Sequence, residues 1–153
     1  MLTRLKILFA SVETLEEPDF DQTQLAAAAL MVHAAAMDDE FGAEERATIR
    51  RLIISSFGLS EAEADELLSL AETAEAEAVG LFRWTQTLKD NLGPEDRVAL
   101  IEKLWEVSYA DGVLHDYEAN LLRRVAGLIY VPDREVGEAR QRVLIRLGMD
   151  RQS

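Results

Sequence analysis

Two short acidic stretches hold the residue types in this chain best suited to chemistry. The first reads Asp38-Asp39-Glu40-Phe41-Gly42-Ala43-Glu44-Glu45, and the second reads Asp111-Gly112-Val113-Leu114-His115-Asp116-Tyr117-Glu118. Each opens with Asp, places a large apolar residue fourth, and reaches Glu seven positions after the Asp. Carboxylates are hard oxygen ligands, and clusters of them favour Ca²⁺, Mg²⁺ or Mn²⁺ over softer metals. Asp38, Glu45, Asp111 and Glu118 are therefore candidate metal ligands, with Asp39, Glu40 and Asp116 near enough in sequence to add oxygens. The pattern is not an EF-hand, whose loop needs oxygen ligands at alternate positions over twelve residues.

The same residues also suit a purely structural task. A Glu at the third position of a helix can accept backbone N–H groups and favours the positive end of the helix dipole. Glu45 and Glu118 both fall there if helices begin just after Gly42 and His115. An Asp at the end of the preceding helix is ordinary turn chemistry, and Phe41 and Leu114 would then anchor the loops in the core. Metal binding and helix capping are both open on spacing alone.

Most other chemistry is excluded by composition. The chain has no cysteine, which removes disulfides, thiolate nucleophiles and thiolate metal sites. Only two histidines are present, and neither His33 nor His115 follows a Glu by three residues, as a carboxylate-bridged di-iron bundle requires. There is no glycine-rich phosphate loop, nucleophile elbow or His-centred triad, so an enzyme is not expected. Trp84 and Trp105 read as core or groove residues. A formal charge of −13 argues against nucleic acid, whose binding needs Lys and Arg to neutralise phosphates, and suits divalent cations or a basic partner.

The elements that would position the loops are all helical. Residues 22–37 form an Ala-rich helix, apolar around most of its circumference, which belongs at a domain centre. Residues 43–57 follow, with Ile49, Leu52, Ile53 and Phe57 inward and Arg46, Arg50 and Arg51 mostly outward. Gly58 stops that helix, and Ser60 to Glu63 reads as a capping box opening a markedly acidic helix at 61–78. Residues 81–91 carry Phe82, Trp84 and Leu88. Gly93-Pro94 starts the counterpart of the central helix at 95–110. Helices at 116–129 and from Pro132-Asp133 to about residue 147 complete the set. No segment alternates as a strand would.

At the N-terminus, residues 2–12 can form a short amphipathic helix with Leu2, Leu5, Leu8 and Phe9 on one face, packed on the domain or touching a membrane surface or partner. Residues 13–21 read as a linker, with Asp19 or Asp21 as the cap of the next helix. The longest nearly uncharged apolar stretch, residues 25–37, is too short to span a bilayer. The apolar run near the N-terminus is too short for a secretory signal, which places the protein in the cytoplasm.

A shift of 73 residues aligns Asp38 with Asp111, Phe41 with Leu114, Glu45 with Glu118, Arg50 with Arg123, Arg51 with Arg124, Phe57 with Tyr130 and His33 with Glu106. Ser60 meets Asp133, each a candidate N-cap. The expected fold is a single all-α domain over residues 22–150. It has pseudo-twofold duplication of helix–loop–helix units, in halves of about 22–78 and 95–147, with residues 1–21 as an appended segment.

These residues carry a resemblance. Met37-Asp38-Asp39-Glu40-Phe41 with Phe57-Gly58-Leu59-Ser60 resembles the TerB family. So does Leu104-Trp105-Glu106-Val107-Ser108-Tyr109-Ala110-Asp111-Gly112 followed by Asp116-Tyr117-Glu118. It covers about residues 22–147. The first copy departs from the family pattern, with Met37-Asp38-Asp39 where Ala-Asp-Gly is usual. The resemblance implies an all-helical, internally duplicated domain whose acidic positions, here Asp38, Glu45, Asp111 and Glu118, chelate a divalent metal. It further implies a role beside tellurite-resistance or co-chaperone-type proteins, in a membrane-associated stress complex at the inner membrane face. With no cysteine to reduce tellurite, any contribution to resistance would be indirect, through metal handling or protein contacts.

Overall fold

A helix with apolar residues all round has no face to give to solvent, and the architecture follows from that. α1 (Gln22–Ala35) buries an unbroken run from Ala26 to Val32 and then Ala34 and Ala35. It does so by packing against four other helices, α2 (Ala43–Phe57), α3 (Glu61–Ala76), α4 (Leu81–Asn91) and α5 (Pro94–Ser108). α5 packs in turn on α2, on α6 (Asp116–Leu128) and on α7 (Asp133–Arg146). α1 and α5 are thus the two inner helices, as their sequences predict. The computed structural model describes residues 21–38, 42–77, 80–110, 112 and 116–149, and among these every regular element is helical. The N-terminal helix expected at 2–12 and the linker before residue 21 lie outside the described residues.

Local signals set the boundaries. Asp21 caps α1, its Oδ1 accepting the Gln24 N–H at 2.8 Å. The end of α1 tightens into a 3₁₀ turn at Ala36–Asp38. Ser60 and Glu63 form the expected reciprocal box, with Ser60 N–H to Glu63 Oε1 at 2.9 Å and Glu63 N–H to Ser60 Oγ at 3.1 Å. Pro94 takes the first position of α5. Asp133 differs from its aligned Ser60. The extended Pro132 precedes the helix without a side-chain cap, and Asp133 is the first helical residue, where its charge favours the dipole.

The two halves share a layout. The buried residues Glu45, Ile49, Leu52 and Ile53 of α2 recur 73 positions later as Glu118, Leu122, Val125 and Ala126 of α6. Ala64, Leu67 and Ala71 of α3 recur 72 positions later as Val136, Ala139 and Val143 of α7. Both second helices end in a left-handed residue, Gly58 at φ 66° and Tyr130 at φ 65°. At each end an N–H reaches back five residues, from Leu59 to the Ile54 carbonyl at 3.3 Å and from Val131 to the Ala126 carbonyl at 2.8 Å.

α4 has no counterpart. Its Trp84, Thr85 and Leu88 are buried, whereas Phe82 is 67% exposed. α4 packs on α1 and α6, and Arg97 of α5 ties down its end. The Arg97 Nη2 donates to the Lys89 carbonyl at 2.8 Å, Nε to the Leu92 carbonyl at 2.8 Å, and Nη1 to the Ile129 carbonyl at 3.2 Å. One guanidinium therefore satisfies terminal acceptors of both α4 and α6 and neutralises the negative ends of their dipoles.

Arg97→Met should lower the unfolding free energy by about 2–3 kcal/mol, since charged donors to otherwise unmet carbonyls are among the stronger hydrogen bonds. Arg97→Lys should recover only part of it, because an ammonium cannot span three carbonyls with a planar fork. Urea denaturation measures both. Tyr130→Gly should stabilise by roughly 0.5–1 kcal/mol by relieving the left-handed backbone, while Gly58→Ala should destabilise by a similar amount, read by the same denaturation midpoints.

Candidate metal centre

Helix starts bring the two glutamates to equivalent places. Glu45 is the third residue of α2 and Glu118 the third of α6, and both are buried, at 7% and 4% exposure. Carboxylates are seldom buried without partners. Glu45 has one. Its Oε1 accepts the Gly42 N–H at 3.0 Å, closing one arm of a capping box. Glycine has no side chain to return the bond, so the second arm is missing. Gly42 also makes room, because a Cβ there would stand 2.8 Å from the same Oε1. The capping role expected of Glu45 is therefore realised, on one of its two oxygens.

The other predicted ligands are distributed as follows. Asp38 closes the 3₁₀ turn after α1. Asp39, Glu40 and Asp111, together with Phe41, Leu114 and His115, lie outside the described residues. Asp116 opens α6 and is exposed. It lines a polar cavity with Arg123 and Arg140, and two guanidiniums make that spot unfavourable for a cation. Among the described residues no three Asp, Glu or His groups converge as a metal site. Glu45 and Glu118 are thus the two expected ligands whose burial is seen.

Polar groups sit on the inner helices behind the loops. His33 of α1 is half-buried, with Nδ1 3.3 Å from Glu75 Oε2 and its ring edge-on to Trp84 at 5.9 Å. It serves as a packing residue joined to α3. Its aligned partner Glu106 is more deeply buried and more heavily tied. Arg51 Nη2 of α2 donates to Glu106 Oε2 at 2.7 Å, and Arg146 Nη2 of α7 to Oε1 at 3.0 Å. Arg146 also reaches Glu102 at 2.8 Å, beside Arg142 at 3.1 Å. This network fixes α2 and α7 around α5, and its long-range pairs are invisible to helical periodicity. A similar match joins α2 to the acidic α3, where Arg46 meets Glu72 at 2.9 Å and Arg50 meets Asp65 at 2.7 Å. The arginines expected mostly outside are thus engaged with neighbouring helices.

Burial pushes the Glu102 and Glu106 carboxyls up, but hydrogen bonds from Arg146 with Arg142, and from Arg51 with Arg146, together outweigh it and hold both below the usual carboxylate range. A carboxylate with a depressed folded pKa contributes stability that is fully present above its unfolded pKa of about 4.3 and is lost as pH falls through the folded value. Glu106→Gln should therefore cost about 1–2 kcal/mol at neutral pH, the arginines being partly solvated. It should also flatten the loss of stability below about pH 4.3, which urea midpoints across pH 3–7 would record.

The sequence reading missed Arg140. Its Nε donates to the Tyr109 hydroxyl at 2.8 Å, and its guanidinium lies over the Trp105 and Tyr109 rings at 5.6 and 5.9 Å. The signal was present in the repeat, because the 72-residue shift that aligns α3 with α7 pairs Arg140 with the fully buried Leu68.

No curated protein and no solved structure matches this chain. The family model described as tellurite resistance protein TerB matches residues 24–141, from within α1 to within α7, and so takes in both glutamates and both inner helices. The chain belongs to the TerB family.

Proposed function

We propose that this protein is a non-enzymatic TerB-type module that binds a divalent cation, Ca²⁺, Mg²⁺ or Mn²⁺, through its two acidic loops and acts by contact with a protein partner in a tellurite-resistance or stress assembly. The observation that supports it is the pair of buried glutamates at the same position of α2 and α6. Glu45 uses one carboxylate oxygen for its cap, and the other can face an ion held with Asp38, Asp39 or Glu40. Glu118 would act with Asp111, and Asp116 is the weakest candidate because of its arginine neighbours. The place of action is the cytoplasm, at the inner membrane face through a membrane-bound partner. Among the described residues no helix is long and apolar enough to cross a membrane.

A second reading is favoured by the Gly42–Glu45 bond itself: the loops only cap helices, and the domain is an interaction scaffold or co-chaperone-type domain. The acidic α3 is a weaker docking face for a basic partner than its sequence suggests, because Glu61, Asp65 and Glu72 already face arginines of α2.

Thermal unfolding of chelator-stripped protein, titrated with each cation, separates the two. Cation at 100 times its dissociation constant should add about 2.7 kcal/mol, roughly 5–10 °C for a domain of this size. Glu118→Gln and Glu45→Gln should each remove that rise. No rise with any of the ions at millimolar concentration would sink the metal reading. The scaffold reading then expects Glu45→Gln to lower stability by about 1 kcal/mol, as loss of a cap does.

A further inference from the structure

We propose that the cavity between α6 and α7 lined by Arg123, Arg140 and Asn120 is a phosphate-binding site, taking inorganic phosphate or the phosphate of a small monoester. The cavity holds about 470 Å³ and is bounded also by Asp116 and Ala119, a size within the range of small-ligand pockets. Two arginines line it that form no ion pair with the described residues. The chain has 29 acidic and 16 basic side chains, and its other half shows what they usually do. Arg50 of α2 is answered by Asp65 at 2.7 Å and Glu61 at 3.7 Å of α3. Arg123 is its equivalent on α6, but the position matching Asp65 on α7 is Gly137, and among the described residues Arg123 reaches the Asn120 side-chain oxygen, at 3.3 Å. Neither Arg123 nor Arg140 forms an ion pair among the described residues.

Arg140 is also prepared to receive a ligand. The stacked Trp105 and Tyr109 rings, with centroids 6.2 Å apart, support its guanidinium, and the Tyr109 hydroxyl takes its Nε–H. Held at its Nε–H and against the rings, the side chain loses little freedom on binding. Trp105 is itself fixed by its Nε1–H to the Val136 carbonyl at 3.1 Å. One guanidinium saturates a planar carboxylate through two parallel bonds. Two guanidiniums from different helices suit an anion with oxygens in several directions, which is a phosphate. Asp116 in the same cavity weakens binding of a dianion, which gives the site a signature that simple structural arginines lack.

The test is an NMR titration of the full chain with inorganic phosphate and with glycerol phosphate, at constant ionic strength, following the Trp105 Nε1–H and Arg140 Nε–H signals, with acetate as the planar control. Saturable shifts at millimolar phosphate, with acetate weaker, are expected. Arg123→Met and Arg140→Met should each weaken binding by roughly tenfold, the loss of one charge-assisted pair, and Asp116→Asn should tighten it. The tighter of the two probes identifies the source, free phosphate or monoester. Arg140→Met could disturb the ring stack, so the exposed Arg123 and Asp116 variants decide. No saturable shift with either phosphate, unchanged affinity in Arg123→Met, or weaker binding in Asp116→Asn would overturn the proposal.

Discussion

The structure depends on the burial of α1 from every side. Ala28, Ala29, Met31 and Ala34 are fully enclosed, and four helices must close around them. The alanines among them let neighbouring helices approach closely. An added methylene or two in a filled interior costs about 1–3 kcal/mol, while glycine would cost roughly 1 kcal/mol in helix propensity. The central helix is thus constrained against both enlargement and trimming. The peripheral helices bring one apolar face each and keep the other for charge, most unequally on α3, which carries six carboxylates and no Lys or Arg.

Local chemistry was legible where a signal and its effect lie within one turn. Asp21, Gly58, Ser60 with Glu63, and Pro94 each set a boundary that the structure keeps. The inner role of α1 and α5 was legible from apolar content. Contacts that join residues distant in sequence were not. Arg97 reads as one more helical arginine, and nothing local tells that its three carbonyls belong to two other helices. Arg51 and Arg146 converge on Glu106 from 55 and 40 residues away. Nor does residue type tell which of the large apolar residues carried by α4 is covered: Phe82 is exposed, while Trp84 and Leu88 occupy the face that α1 covers.

At the candidate metal centre, the position of both glutamates was legible because helix starts were legible. Their burial was not, since it depends on how α2 and α6 lie on the inner helices. The burial matters because it turns a capping residue into something more demanding. A capping carboxylate on the surface can be exchanged with water at little cost, whereas a buried one must keep its partners. In Glu45 that partner is the Gly42 N–H, which fixes the start of α2.

The Arg97 clamp has a consequence for how copies of this chain behave at high concentration. Two halves that bury each other's inner helices present an interface that the opposite half of another molecule could equally satisfy, the general route to domain exchange. The joint between the halves is α4, which belongs to neither layout. Exchange would require α4 to leave α1 or α6. Arg97 holds the last carbonyls of α4 and the end of α6 with one guanidinium, so the helix cannot swing out without stranding acceptors at both. The bond set that finishes two helices also favours closure of the chain on itself over closure on a neighbour.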